Sequence, residues 1–114
     1  MIIRKTAVES FNFGGLEIAD YTATLDEQSS FAVITVPPQA SHKLSWSHRS
    51  DKYYYIVKGA INFSINNKDY ILAQGDFCLV KKGDKFRYSN TGNKSCEMIL
   101  VHTPNLKLEQ EVYE

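Results

Sequence analysis

Gly75-Asp76-Phe77-Cys78-Leu79-Val80-Lys81-Lys82-Gly83-Asp84-Lys85-Phe86-Arg87-Tyr88-Ser89-Asn90 carries the fold of this chain in its punctuation. Two Gly-Asp turns bracket a short apolar run, too short for a helix and the right length for a strand. The rhythm extends outward: Gly59, Asn66-Asn67 and Thr91-Gly92-Asn93 repeat the turn signal at intervals of about eight or nine residues, the spacing of short antiparallel strands. Ile61, Phe63 and Ile65 alternate with Asn62, Ser64 and Asn66, so one face of that segment is apolar and the other wet. Tyr53 to Val57, Tyr70 to Leu72, Phe77 to Val80 and Met98 to Val101 are apolar on both faces, as expected of strands covered on two sides. Phe31 to Val36 is another strand, ended by Pro37-Pro38, which neither donate to a ladder nor continue one. Leu16 to Leu25 reads as one or two strands, and the alternating tail Leu106 to Tyr113 as a last edge strand or a loose arm. An all-β sandwich or barrel follows.

With 114 residues and no internal repeat or low-complexity tract, residues 1–114 are expected to form one domain. Thirteen Lys plus Arg balance thirteen Asp plus Glu, so no global field draws in nucleic acid or an anionic membrane. The basic group Lys81, Lys82, Lys85 and Arg87 surrounds a turn beside Asp84 and reads as a solvated rim. No apolar stretch approaches the length of a bilayer-spanning helix, and no apolar run follows Arg4-Lys5 as in a secretory leader, so a cytoplasmic protein with no membrane partner is expected. Cys78 and Cys96 lie in apolar runs without Cys-x-x-Cys spacing, which makes them reduced core thiols.

Placed on these strands, the stretch from about Pro37 to Pro104 resembles the conserved barrel of the cupin superfamily, a small antiparallel jelly roll (double-stranded β-helix) of the RmlC-like kind. Gly75 to Asn90 is similar to the second cupin motif, with Gly75, Gly83 and Asn90 in place, Lys81 where a Pro is usual, and Phe86 where a His is usual. Trp46 to Gly59 is similar to the first motif. His48 fills its second His and Gly59 its closing Gly, while Trp46 and Lys52 stand where a His and a Glu are usual. In metal cupins the resemblance implies four ligands at Trp46, His48, Lys52 and Phe86. Only one of these has a ligating side chain, and an ammonium at Lys52 repels a cation. No metal or other cofactor is therefore expected, the residual route being His48 joined by His42 or His102.

Strand alternation aims Trp46, His48, Lys52, Tyr54 and Ile56 into the barrel, with Phe86 and Tyr88 facing them. The expected ligand-binding set is Trp46, His48, Lys52, Tyr54, Phe86, Tyr88 and His102, with His48, Lys52 and Tyr54 as candidate catalytic groups. In this reading the rings sandwich an organic ligand while His48 and Lys52 grip a polar or anionic group on it. The plainer alternatives are that the rings merely fill the barrel, that Lys52 snorkels outward or pairs with Asp51, and that His102 sits at a surface strand end. The expected function is a metal-independent small-molecule-binding cupin. The alternatives are a metal-free isomerase, epimerase or lyase working by acid–base chemistry, and a metal-dependent dioxygenase-type cupin. The resemblance also implies a homodimer, with the N-terminal segment and the tail available to extend a neighbour's sheet.

Overall fold

A computed structural model describes residues 1–114 and consists of eleven antiparallel strands with no α-helix. They are β1 (Phe11–Phe13), β2 (Leu16–Asp20), β3 (Ser30–Val36), β4 (Ser41–Ser47), β5 (Asp51–Lys58), β6 (Ala60–Ile65), β7 (Lys68–Ala73), β8 (Phe77–Val80), β9 (Phe86–Ser89), β10 (Cys96–Thr103) and β11 (Glu111–Tyr113). One sheet has the order β1-β2-β3-β10-β5-β8 and the other β11-β4-β9-β6-β7. This is the jelly-roll arrangement expected, built as two open sheets face to face rather than one closed barrel. No helix is long and apolar enough to cross a membrane.

The turns that punctuate the sequence do the work assigned to them. Asn66 and Asn67 both have positive φ, 49° and 67°, the conformation a two-residue hairpin needs between β6 and β7. Gly59 has φ +85°, and a Cβ there would lie 2.7 Å from the Ser95 carbonyl oxygen, so only glycine fits without moving backbone. Asp76 and Asp84 close their turns by accepting from the Ala73 and Lys81 amides at 2.8 and 3.0 Å. Buried Asn90 donates to the Val36 and Lys94 carbonyls at 2.9 and 2.7 Å, tying the end of β9 to the end of β3. The closing Asn of the motif is thus a strand-to-strand tie.

The interior between the sheets has two unlike ends. Along β10 the inward residues are Met98, Leu100 and His102, and their register partners on β5 are Ile56, Tyr54 and Lys52. Ile56 and Met98 join Ile34, Val36, Ile61, Phe63, Val80 and Cys96 in an apolar cluster closed to solvent. Each such side chain contributes roughly 1.5–3 kcal/mol by burial. Two registers further along, the same strands present an imidazole and an ammonium.

Two expectations need correction, on strand covering and on the cysteines. The doubly covered strands are open on one side, with Tyr55 and Phe77 44% and 55% exposed on the six-stranded sheet. The tail takes the edge-strand alternative, as β11 on β4, and the N-terminal segment supplies the opposite sheet's edge strand, as β1 on β2. Both cysteines are free, but only Cys96 is fully buried; Cys78 is half-buried. Burial pushes their thiols up, to about 11 for Cys96 and about 12 for Cys78, which leaves neither nucleophilic near neutral pH.

Candidate functional site

A cavity of about 80 Å³ opens at the polar end of the interior, between the inner faces of the two sheets and under the two terminal segments. Phe11 and Phe13 of the N-terminal segment wall one side, and Leu106, Leu108, Glu111 and Tyr113 of the C-terminal segment close the mouth. Arg49 holds that segment down, reaching the Asn105 carbonyl at 3.0 Å with Nε and its side-chain oxygen at 2.7 Å with Nη2. Buried Ser50 donates to the Pro104 carbonyl at 2.8 Å.

Lys52 sits at the centre, 3% exposed. Its Nζ is 2.8 Å from His102 Nε2 and forms an ion pair with Glu111 Oε1. The Phe86 ring centroid lies 5.6 Å from the same nitrogen. Desolvation lowers the ammonium's pKa, and the Glu111 carboxylate works against that fall. Because an ammonium has only donors, His102 Nε2 accepts from it, and the imidazole proton resides on Nδ1. Burial, and secondarily the Lys52 charge, lower the His102 pKa to about 3, so its ring is neutral.

His42 faces the same cavity from β4 and stacks near Phe86 and Tyr88, with ring centroids 5.1 and 5.0 Å away. Its Nδ1 lies 2.7 Å from the Lys43 carbonyl oxygen and donates to it, leaving Nε2 as a lone-pair nitrogen. Burial again lowers the pKa and keeps the ring neutral. Tyr54 and Tyr88 are fully buried, and desolvation raises both phenols well above their ordinary value, so they remain hydroxyls. Two polar atoms of the wall have no hydrogen-bond partner, the Tyr88 hydroxyl and Glu111 Oε2.

Of the residues expected here, Lys52, Tyr54, Phe86, Tyr88 and His102 line the cavity. Trp46 and His48 do not, and β4 supplies the reason. Between His42, paired with Tyr88, and Ser45, paired with Phe86, three steps on β4 match two on β9. That extra residue is a β-bulge, and it reverses the alternation. Ser45 and Ser47 are therefore buried while His48 is exposed. Half-buried Trp46 turns to the outer surface, where the Lys85 ammonium sits 4.7 Å from its ring centroid.

Two further placements are corrected. His102 is buried in the cavity wall rather than at the surface. Asp51 does not pair with Lys52, since neighbours on a strand face opposite ways; it accepts from the Lys82 amide at 2.8 Å. Sequence reasoning missed Glu111 as the partner. The signal available was Lys52 itself, because a buried ammonium requires a carboxylate and the tail brought one of unassigned position.

The donor set of a metal cupin does not fit this interior. Nowhere do three His, Cys, Asp or Glu side chains converge as an ion would require. The His102 imidazole and the Glu111 carboxylate both turn to the Lys52 ammonium.

Comparison with known proteins places this geometry in context. An oxalate-binding protein of Thermotoga maritima is 34% identical over 71 residues, covering 62% of this chain and 59% of that protein, so the match spans less than two thirds of the relative. Among solved structures, Pac13, a nucleoside dehydratase, superposes with a TM-score of 0.88 at 21% identity, over all of this chain and 90% of Pac13. An RmlC-like cupin from Shewanella frigidimarina gives 0.81 at 16% identity over 92% and 91% of the two chains. A predicted oxalate decarboxylase from Thermotoga maritima gives 0.81 at 25% identity over 91% and 99%. These structural likenesses concern the fold. The model of the Cupin domain family matches residues 32–102, well over half of the sequence, from Ala32 of β3 to the buried His102 of β10, and the chain belongs to that family.

Proposed function

We propose that this chain is a metal-independent small-molecule-binding cupin whose ligand occupies the aromatic-walled cavity at the polar end of the sandwich. The observation that carries the reading is the Lys52 ammonium, fixed between His102 and Glu111. It is a cation built from the chain itself, in contact with the groups a divalent ion would need. Around it the rings of Tyr54, Phe86, Tyr88 and Tyr113 supply apolar and π surface, and the free Tyr88 hydroxyl and Glu111 Oε2 supply polar contacts. At roughly 10–15 Å³ per water-sized group, the cavity of about 80 Å³ admits a small polar molecule or the polar end of a larger one. The oxalate-binding relative, and Streptomyces Pac13 solved with uridine, support small-molecule binding as the shared theme.

Elemental analysis and thermal melts test metal independence. Protein purified without chelator is expected to hold no stoichiometric Fe, Mn, Ni or Zn and to melt at the same temperature with EDTA or with added metal. A stoichiometric metal lost in the His102→Ala or His42→Ala variant would overturn the reading.

A second reading is favoured by His42. A neutral imidazole with Nδ1 anchored on a carbonyl and Nε2 unprotonated has the form of a general base, and the Lys52–Glu111 pair supplies a proton store beside it. A metal-free lyase, epimerase or isomerase fits that arrangement. Pac13 has been solved with uridine in forms carrying a histidine-to-glutamine or a tyrosine-to-phenylalanine substitution, and this cavity brings two neutral histidines, His42 and His102, together with the buried tyrosines Tyr54 and Tyr88. The His42→Asn variant separates the readings: binding retained with turnover lost marks an enzyme, and no turnover in either protein marks a binder.

A further inference from the structure

Three charged side chains line the cavity, Lys52, Glu111 and Asp20. Lys52 is the only cation, and two of its three donors are engaged within the wall. Of its three N–H bonds, one reaches His102 Nε2 and another Glu111 Oε1, while the Phe86 ring lies beside the nitrogen. Whichever partner holds the proton, the Lys52–Glu111 pair carries no net charge. Asp20 adds a carboxylate, its Oδ1 accepting from the Ala23 amide at 3.2 Å. His42 and His102 are neutral. The one cation of the wall is already paired with a carboxylate, and the balance of charge among Lys52, Glu111 and Asp20 is negative.

What remains unsatisfied is one-sided in the same way. Glu111 Oε2 is buried without a partner, and an ionised carboxylate oxygen only accepts. The Tyr88 hydroxyl, also without a partner, both donates and accepts. Buried polar atoms left in this condition call for a partner, and both residues line the cavity.

We propose that the cavity selects a ligand that bears no negative charge and donates a hydrogen bond to Glu111 Oε2, so that Glu111 is the residue that excludes carboxylates. This rests on the cavity being the ligand site, as proposed above, and adds the chemical class of the ligand. Size does not decide the matter, because oxalate and a small polyol of similar heavy-atom count fit a cavity of about 80 Å³ equally well. Charge does. An oxalate dianion would meet the Glu111 and Asp20 carboxylates with a single cation to offset them, and that cation is already paired with Glu111. The chain shares a third of its matched residues with an oxalate-binding protein, yet its interior is built against that ligand.

The test is an NMR titration of the 15N-labelled chain with glycerol, 2-aminoethanol, uridine and oxalate, followed at the backbone amides of Tyr88 and Glu111. Saturable shifts are expected from at least one of the first three probes and none from oxalate at the same concentrations. Glu111→Gln keeps the side chain's shape but removes its charge, and is expected to tighten oxalate binding at least tenfold. Oxalate saturating those amides in the wild type would overturn the inference while leaving a ligand site in place. A folded Glu111→Gln protein still indifferent to oxalate would also overturn it. Silence from every probe in both proteins would sink the ligand site itself, and this inference with it. The wild-type titrations need no substitution, so they decide the case even if the variant fails to fold.

Discussion

The two ends of the interior are made by the same strands and differ in what they ask of the chain. At one end Met98 faces Ile56; two registers on, His102 faces Lys52. The apolar end is stabilised by transfer of surface from water and tolerates swaps that conserve volume. The polar end holds an ammonium, a carboxylate and two neutral imidazoles out of water. Desolvation there costs several kcal/mol per ion unless each partner is matched. The lesson is that a buried ion pair is a weak source of stability, since apolar residues of similar volume often serve a fold as well or better.

The sharpest way to break the comparison is to unmatch the pair. Glu111→Leu leaves Lys52 buried without a counter-charge and is expected to destabilise the fold by about 3–5 kcal/mol. Met98→Ala, a cavity at the apolar end, is expected to cost about 2–5 kcal/mol. The double variant Lys52→Met with Glu111→Leu removes both charges together. It is expected to recover wild-type stability or exceed it by about 1–4 kcal/mol, while losing ligand binding. Urea unfolding of the four proteins checks the set. A double variant as unstable as the single one would show that the polar end supports the fold after all.

The contrast was legible in the sequence to the extent that it depends on turns and on strand parity. Gly59, Asn66-Asn67, Gly75-Asp76 and Gly83-Asp84 mark backbone conformations that few other residues adopt, so the strand spacing could be read directly. Lys52, Tyr54, Phe86 and Tyr88 follow by alternation on regular strands. Two features escaped. The bulge in β4 has no residue signature in Lys43-Leu44, and one extra residue turns Trp46 and His48 outward. Glu111 lies in a tail whose partner strand is set by the assembled sandwich. Its backbone is fixed by the register with Ser47 and by the His48 amide donating to the Gln110 carbonyl at 2.9 Å. Those are long-range facts, beyond the reach of local pattern.

A second test sharpens the comparison with pH. His102 in the folded chain is held down to about 3 by burial, against the ordinary value of 6.5 that it regains on unfolding. Above pH 6.5 both states are neutral at this ring, and its contribution is fully present. As the pH falls below that value the unfolded chain binds a proton that the folded chain refuses. Stability then drops by up to about 1.4 kcal/mol per pH unit until the folded value is reached. His42, lowered for the same reason, adds in the same direction. In His102→Gln this loss is removed, so its urea midpoint is expected to fall less steeply than that of the wild type between pH 6.5 and 4. Parallel slopes would mean that His102 is protonated in the fold.

The smallest expected effect tests the bulge. In an unbroken β4, His48 would project into the cavity beside Lys52, and replacing it would remove a contact to the ligand and leave a void. With the extra residue between His42 and Ser45, its side chain lies in solvent, and only its backbone is engaged, through the Gln110 carbonyl. His48→Ala keeps that backbone bond and removes only exposed atoms, so stability is expected to stay within about 0.5 kcal/mol of wild type. Ligand-induced shifts at the Tyr88 and Glu111 amides are expected to be unchanged. The corresponding change at His42, one bulge away on the same strand, takes away a ring packed against both Phe86 and Tyr88 and is expected to alter both. If His48→Ala behaved like the His42 variant, β4 would run without its bulge, and the positions of Trp46 and His48 in the wall would have to be restored.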